Sequence, residues 1–318
     1  MCAEKEVDEM RFLSKSSARF FVLVPLLLFL LAALSGCGQK SEKPRKITLT
    51  DDAGNTFTLD RPATRVVSLA PANTEIVYAV GGGDKLVGVT TYCDYPPAAK
   101  KKKKIGDFTT PNVEKIVSLA PQVVLSTGGV QKSFTQDLGK FNIKVFVVDP
   151  KNLDQVFSDT EKVGEILGLK GKSEQVVADL EKRVDDVLSR VKGKPRPKVF
   201  FEIWNQPLMT AGQGTFIDRM ISMAGGTNIG RSAGKEFPQF NQEQLLRDDP
   251  QVYVAVKGTQ ANPADISNRP GYSQLKAVQD KKVYIVEDNL FVRPGPRLVD
   301  GLVLLAKKIH PEAFKKSD

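Results

Sequence analysis

The 318-residue chain predicts an α/β fold of two lobes, each with a mostly parallel sheet covered by helices, joined by one long rigid connecting helix. Three observations lead there. Short apolar stretches of strand character alternate with helical ones in both halves, the pattern of a parallel sheet with helices on its faces. A long helical stretch with no strand character divides the halves. One segment also occurs twice. NVEKIVSLAPQVVL at 112–125 returns as NQEQLLRDDPQVYV at 241–254, with Pro121 and Pro250 separated by 129 positions. A weak echo at that distance points to two lobes of one design. Each copy reads as a short helix running into a buried strand. Ile116 and Val117, or Leu245 and Leu246, supply the apolar helix face, and the proline ends the helix. Glu114 and Glu243 stand at the helix starts, where the helix dipole favours an acid.

The chain begins with a segment that sets its compartment. Lys15 and Arg19 precede fifteen uncharged residues at 20–34, and the segment ends Leu34-Ser35-Gly36-Cys37. The apolar run has the length of a signal-peptide core and is short for a spanning helix. Small residues before a cysteine resemble the lipobox of bacterial lipoproteins, in which the Cys37 thiol takes the lipid. Residues 1–9 are acidic and unlike a signal peptide, so Met10 is a second candidate start. The expected organisation is a leader at 1–36, a lipid-anchored tether at 37–46, a first lobe at 47–150, a helical connector at 151–195 and a second lobe at 196–318.

The first lobe starts with strands at 47–49 and 56–59 around Asp51-Asp52-Ala53-Gly54-Asn55, a hairpin. RVVSL at 65–69 is a buried strand, and Pro71 opens a helix that stops at Gly81-Gly82-Gly83. A strand at 87–91, the repeat segment, a helix at 131–141 and a strand at 144–148 follow. In the connector, Val156, Val163, Ile166 and Leu167, then Val176, Val177, Leu180, Val184, Val187, Leu188 and Val191, recur at helical spacing. The second lobe repeats the alternation, with strands at 198–203, 252–256 and 282–286 and helices at 215–224, 272–278 and 297–309.

Composition bounds the function. With 41% apolar and 26% charged residues the chain is an ordinary globular one. Its net charge is +9, part of it in the lysine run 100–104, which reads as a solvated loop. No nucleic-acid motif accompanies the charge. Cys93 is the one cysteine of the expected mature domain after Cys37, so an internal disulfide is not expected, and Cys93 reads as a small buried hydrophobe. Gly212-Gln213-Gly214 is not a dinucleotide fingerprint, because Ile217 stands where the third glycine belongs. The single histidine, His310, excludes HExxH and three-histidine metal sites and is expected at the surface. No GxSxG elbow occurs. Neither an enzyme, a metal site nor a cofactor is expected.

What remains is a set of aromatic and polar residues in loops that follow strands: Tyr92, Asp94, Tyr95 and Phe108 in the first lobe, and Trp204, Met209, Phe237, Asn289, Phe291 and Arg293 in the second. Open α/β sheets bind ligands beyond the carboxyl ends of their strands. Aromatic walls with a few polar groups suit a large, flat, partly apolar ligand. Trp204, beside an apolar strand, is the most core-like of the set.

From about Ile47 to His310 the chain resembles the periplasmic substrate-binding proteins of ABC importers that have a rigid helical connector. These serve vitamin B12, ferric siderophores, haem and metal ions. The resemblance is carried by SLAPANTE at 68–75, YCDYPP at 92–97, Asn112-Val113-Glu114, Phe237-Pro238-Gln239 and RPGPR at 293–297. SLAPANTE and DYPP lie closest to the cobalamin-binding members. The resemblance implies a periplasmic or extracytoplasmic, membrane-anchored monomer that gives a corrinoid to an ABC permease and its ATPase. It implies ligand contacts at Tyr92, Phe108, Gly128, Gly129, Met209, Phe237, Asn289 and Arg293, and permease docking at Glu114 and Glu243. Phe108 and Phe237 stand where the cobalamin-binding members have tryptophans, Met209 where they have phenylalanine and Asn289 where they have aspartate. Ala224 occupies one position of a second-lobe disulfide. An Arg293 unopposed by that aspartate would suit an anionic siderophore, so a ferric-siderophore or haem carrier is the alternative. A periplasmic hydrolase and a surface adhesin are the remaining classes.

Overall fold

The computed structural model describes residues 46–258 and 262–315. The leader, Cys37 and the tether through Arg45 lie outside them. No helix among the described residues is long and apolar enough to cross a membrane. Strands β1 (Ile47–Thr50) and β2 (Thr56–Leu59) pair antiparallel. Asp51 builds the turn between them. Its Oδ1 accepts from the backbone N–H of Ala53 and Asn55 at 3.1 and 2.7 Å, and its Oδ2 from Val147 N–H at 3.3 Å. The hairpin is thereby fastened to the end of the first sheet.

That sheet has the order β4–β3–β5–β6, with β3 (Val66–Ser68), β4 (Leu86–Val89), β5 (Val123–Ser126) and β6 (Lys144–Val147) all parallel. Successive strand residues point to opposite faces. Val66, Val123, Leu125 and Phe146 join a core with Phe57, Ile76 and Ile166, whereas Val67 and Val124 join one with Ile116 and Leu138. Helices α1 (Pro71–Ala79), α2 (Val113–Ser118) and α3 (Lys132–Gly139) supply Ile76, Ile116 and Leu138. Burial on both faces is why the strands read as unbroken apolar runs.

The second sheet runs β11–β10–β7–β8, with β9 also on β7. Strands β7 (Lys198–Asn205), β10 (Val252–Val256) and β11 (Val283–Val286) are parallel, as is β9 (Thr227–Asn228), and β8 (Leu208–Thr210) is antiparallel. Val199 and Phe201 face one core and Phe200 the other; Val252 and Val254 alternate with Tyr253 in the same way. Helices α6 (Phe216–Met223), α7 (Gln242–Asp248), α8 (Pro263–Ser267), α9 (Lys276–Gln279), α10 (Asn289–Val292) and α11 (Leu298–Ile309) complete this half; α4 and α5, which lie between the sheets in the chain, are given below. The sequence gives no signal for β8, β9 or α8, which are too short to show a period. The helix expected over 272–278 is a 3₁₀ turn, Tyr272–Gln274, followed by α9.

The two repeat copies match atom for atom at their ends. Asn112 Oδ1 accepts from Lys115 N–H at 2.8 Å and Asn241 Oδ1 from Gln244 N–H at 3.1 Å, so both asparagines cap their helices. Ala120 (φ 44°) and Asp249 (φ 45°) both take the left-handed conformation immediately before the proline. That position is disfavoured in the right-handed helix. Gln122 and Gln251 each bond the first residues of the neighbouring strand segment: Gln122 Oε1 accepts from Thr64 N–H at 2.7 Å and Gln251 Oε1 from Lys198 N–H at 2.7 Å. The echo therefore records a helix stop and a strand register as well as a helix face.

The structure sharpens the connector. It is two helices, α4 (Leu153–Ile166) and α5 (Lys170–Val191), turned at Gly168 (φ 69°). They approach closely where Gly164 lies against Ser173; a Cβ on Gly164 would sit 2.1 Å from Ser173 Oγ. The helix that reaches both halves is α4. Its Leu153, Val156 and Phe157 belong to the core of the second sheet, and its Val163 and Ile166 to that of the first. The longer α5 buries Val177, Leu180, Val184, Val187 and Val191 in the second core alone.

A second tie joins the halves. Glu75 on α1 is 3% exposed, and it accepts from Arg297 twice, Nε to Oε2 at 2.7 Å and Nη2 to Oε1 at 2.6 Å. Beside it Gly295 packs on Ala72, where an added Cβ would lie 3.5 Å from the carbonyl oxygen. SLAPANTE and RPGPR are thus two sides of one joint.

Two residues differ from expectation. His310 is buried, not at the surface, with its Nε2 3.2 Å from Gly225 O. Lys104, in the run expected to be solvated, is half-buried, and its Nζ donates to the carbonyls of Thr90, Cys93 and Ala99 at 3.4, 3.2 and 3.4 Å. Cys93 is buried as expected.

Where α4 meets the hairpin, the buried Asp159 accepts from Lys162 Nζ at 2.9 Å through Oδ1, and Oδ2 has no hydrogen-bond partner among the described residues. Burial, and then the neighbouring Asp52 carboxyl, push its carboxyl from 3.8 up to about 7 against the pull of Lys162. A carboxyl raised in the folded state makes the fold gain protons, so its contribution to stability falls as pH rises from about 4 through about 7. Thermal melts between pH 5 and 8 should show Asp159→Asn losing less stability with rising pH than the wild-type chain; parallel pH profiles would contradict this. Glu75→Gln leaves Arg297 in a low-dielectric site without its carboxylate, which costs about 3 kcal/mol. Urea unfolding measures that loss, and a change below about 1 kcal/mol would mean that the joint contributes as little as a surface pair.

Candidate functional site

The site is built from loops at the carboxyl ends of the strands. After β4 the chain enters 91–97, which carries Tyr92, Asp94 and Tyr95. Tyr92 is 60% exposed and Tyr95 is also exposed. Tyr95 lies under Arg297, whose Cζ is 3.9 Å from the ring centroid, a cation–π contact that fixes the ring from the second half of the molecule. Thr90 and Thr74 hydroxyls bond the Cys93 thiol at 3.2 and 3.1 Å, so the loop is held at its base.

Arg293 lies between this loop and Glu75. Its Nη1 donates to Asp94 Oδ1 at 2.6 Å and to Glu75 Oε1 at 3.0 Å, and its Nη2 is 3.5 Å from Tyr92 O. The expectation of an unopposed Arg293 is therefore corrected. The resemblance implies an aspartate at 289, where this chain has Asn289; the carboxylate against Arg293 is Asp94 from the other half, which no local pattern shows. Partial burial raises the Asp94 carboxyl, but the Arg293 hydrogen bond and charge outweigh it and hold the group below its usual range. For Arg293, burial lowers and the two carboxylates raise, with a net rise. As pH falls below 3.8 and through the depressed Asp94 value, that pair is lost.

Phe108, half-buried, follows the lysine run. Its carbonyl accepts from Gln131 Nε2 at 2.9 Å. The same nitrogen donates to Leu69 O at 2.8 Å, and Gln131 Oε1 accepts from Thr127 N–H at 2.9 Å. The fully buried Gln131 thus ties the loops after β3, β4 and β5 together. It was not singled out from the sequence, because a lone glutamine at a helix start carries no signal. Gly128 and Gly129 lie in the loop that Gln131 closes. A Cβ on Gly128 would sit 2.4 Å from Asp149 Oδ2, and Gly129 has φ 59°, so both positions favour glycine for structural reasons.

In the second half, segment 234–240 runs beside β8. Thr210 N–H donates to Pro238 O at 3.1 Å, Phe240 N–H to Leu208 O at 2.8 Å, and Met209 bridges Gln239. This brings Met209 and exposed Phe237 to neighbouring positions. Trp204 is not core: it is 49% exposed beside the β7–β8 turn, with its indole N–H on Gln206 O at 2.9 Å. Phe291, expected among the loop aromatics, is buried against Phe201, ring centroids 5.2 Å apart. Asn289 is half-buried at the start of α10, its N–H capped by Asp288 Oδ1 at 2.7 Å. Glu114 and Glu243 are exposed in the first turns of α2 and α7.

Tyr92, Tyr95, Val130, Trp204, Phe237 and Val292 are exposed large apolar side chains; Tyr92, Tyr95 and Phe237 lie in loops, Trp204 at the end of β7, Val130 in a 3₁₀ turn and Val292 at the end of α10. A surface groove of about 990 Å³ between α5, α11 and Phe314 shares no residue with these loops. Among the described residues no cluster of three or more His, Cys, Asp or Glu could hold a metal ion.

Known proteins fall in line with this architecture. Residues 66–290 match the periplasmic binding protein family. An ABC transporter substrate-binding lipoprotein of Bacillus subtilis, YvrC, is 33% identical over 308 residues, covering 91% of this chain and 97% of that protein. A vitamin B12-binding protein of Yersinia pestis is 34% identical over 206 residues, covering 64% of this chain and 73% of that protein. Among solved structures, the periplasmic vitamin B12 binding protein BtuF of Vibrio cholerae superposes with a TM-score of 0.69 at 28% identity, covering 80% of this chain and 99% of that one. The periplasmic haem-binding protein RhuT of Roseiflexus has the same fold, with a TM-score of 0.70 at 24% identity over 79% of this chain and 99% of that one. With its two α/β halves, the helix α4 reaching both cores and these relatives, the chain belongs to the periplasmic binding proteins, the substrate-binding components of ABC importers.

Proposed function

We propose that this binding protein captures vitamin B12 or a related corrinoid in a cleft between its lobes and delivers it to an ABC permease without chemical change. The observation that carries the reading is the exposure of Tyr92, Tyr95 and Phe237 in loops, and of Trp204 at the end of β7, in both halves. Exposed aromatic rings from both halves offer flat apolar area at little conformational cost, which suits a large macrocycle. The names of the Yersinia and Vibrio relatives support the same ligand class. Phe108 and Met209 add to the walls, Gly128 and Gly129 let the backbone approach, and Asn289 and Arg293 border the floor. Haem or a ferric siderophore is the second reading, favoured by the haem-binding structural neighbour and by the exposed Tyr92 phenol. Cys37 would carry the lipid that keeps a monomeric protein at the membrane, and Glu114 and Glu243 would meet basic residues of the permease.

Titration of the purified protein with cyanocobalamin should give a Kd of about 1 μM or tighter, about −8 kcal/mol. Absence of binding at ~100 μM would sink the corrinoid reading, and the absorption spectrum of the protein as purified separates corrinoid, haem and ferric chelate. Replacing Glu114 and Glu243 together by lysine should abolish uptake in cells while cyanocobalamin affinity stays within about twofold. Lost affinity in that variant would place the two glutamates in the cleft instead.

A further inference from the structure

We propose that Asp94 sets the charge selectivity of the cleft: it occupies the outer side of Arg293 and so turns a cationic floor into a neutral one, favouring an uncharged macrocycle over an anionic one. The inference rests on the cleft assigned above and deepens it to a ligand class. Four charged groups meet at the joint between the halves: Glu75, Asp94, Arg293 and Arg297. Their formal charges cancel. The two carboxylates are not equivalent. Glu75 is fully enclosed and serves both guanidinium groups, whereas the Asp94 side chain is 45% exposed and bonds Arg293 at 2.6 Å. Arg293 is only 13% exposed. Its Nη1 donors go inward to Glu75 and outward to Asp94, and Nη2 reaches the Tyr92 carbonyl. A carboxylate-bearing ligand that sought Arg293 would first have to displace Asp94 and would then face it as a like charge. An uncharged ligand meets no such opposition, and the aromatic rings receive it unaided.

Asp94→Asn is isosteric, leaves Glu75 in place and uncovers one positive charge. The test compares two macrocyclic probes of similar breadth, cyanocobalamin, which has no net charge, and haemin, which carries two propionate carboxylates. The haemin-to-cyanocobalamin affinity ratio, from fluorescence quenching, should rise about tenfold in Asp94→Asn, the worth of one charge-assisted contact. That gain should shrink as NaCl is raised. It should also vanish in the double variant Asp94→Asn/Arg293→Gln, because the uncovered guanidinium is its source. A ratio that stays level or falls in a variant with a wild-type circular dichroism spectrum overturns the proposal. So does a gain that persists in the double variant. Failure of the corrinoid reading looks different: cyanocobalamin would bind neither protein, while Asp94→Asn would still bind haemin more tightly than the wild type does.

Discussion

The Glu75 carboxylate is the interaction on which the arrangement of the two halves depends. It is enclosed on α1 and accepts from two arginines more than 200 positions further along the chain. Taken out of water, a carboxylate and two guanidinium groups are tolerable only together. Pulling the halves apart at this point would expose or orphan three charges at once. Relative motion must therefore pivot about the joint, with α4 as the second constraint because its two ends are buried in different cores.

The loops of the candidate site are less free than their exposure implies. Gln131 holds the loops after three strands with one side chain, and segment 234–240 is pinned along β8 by backbone hydrogen bonds. Arg297 holds the Tyr95 ring from across the joint. Aromatic rings fixed before the ligand arrives lose little entropy on binding, which raises affinity without added contacts. Gly128 and Gly129 belong to the same logic: a side chain at the first would strike Asp149, and the second needs a left-handed backbone.

The fold was largely legible because its information is local. Alternating buried strands and the repeated Asn-x-Glu…Pro-Gln-Val segment predict two α/β halves, and the capping asparagines and left-handed residues before Pro121 and Pro250 explain why the repeat exists. Elements of two or three residues, such as β8 and β9, have no period to read. The candidate site was legible in its aromatic loops but not in its electrostatics. The pairing of Arg293 with Glu75 and Asp94 spans about 200 positions, and the lone Gln131 has no pattern at all. Single aromatics were misjudged in both directions. Trp204 follows an apolar strand but lies where β7 turns back, whereas Phe291 sits on the first short helix after β11 and rotates into the core. Which way a ring points at an element end depends on the next few backbone angles, and these are set by tertiary contacts.

The charge of the whole chain is a poor guide to the charge of its cargo. A formal +9 would favour an anionic ligand if the excess lay in the cleft. The structure distributes it otherwise. Lys104 is spent on three carbonyls, and Lys182 and Lys307 lie in the groove between α5 and α11. At the joint two acids cancel two arginines. A salt-screened surface charge affects encounter, whereas the enclosed groups at the floor act at contact distance in a low dielectric. On the proposed reading, selectivity for the ligand's charge rests on four side chains at the joint and not on the net charge of the chain.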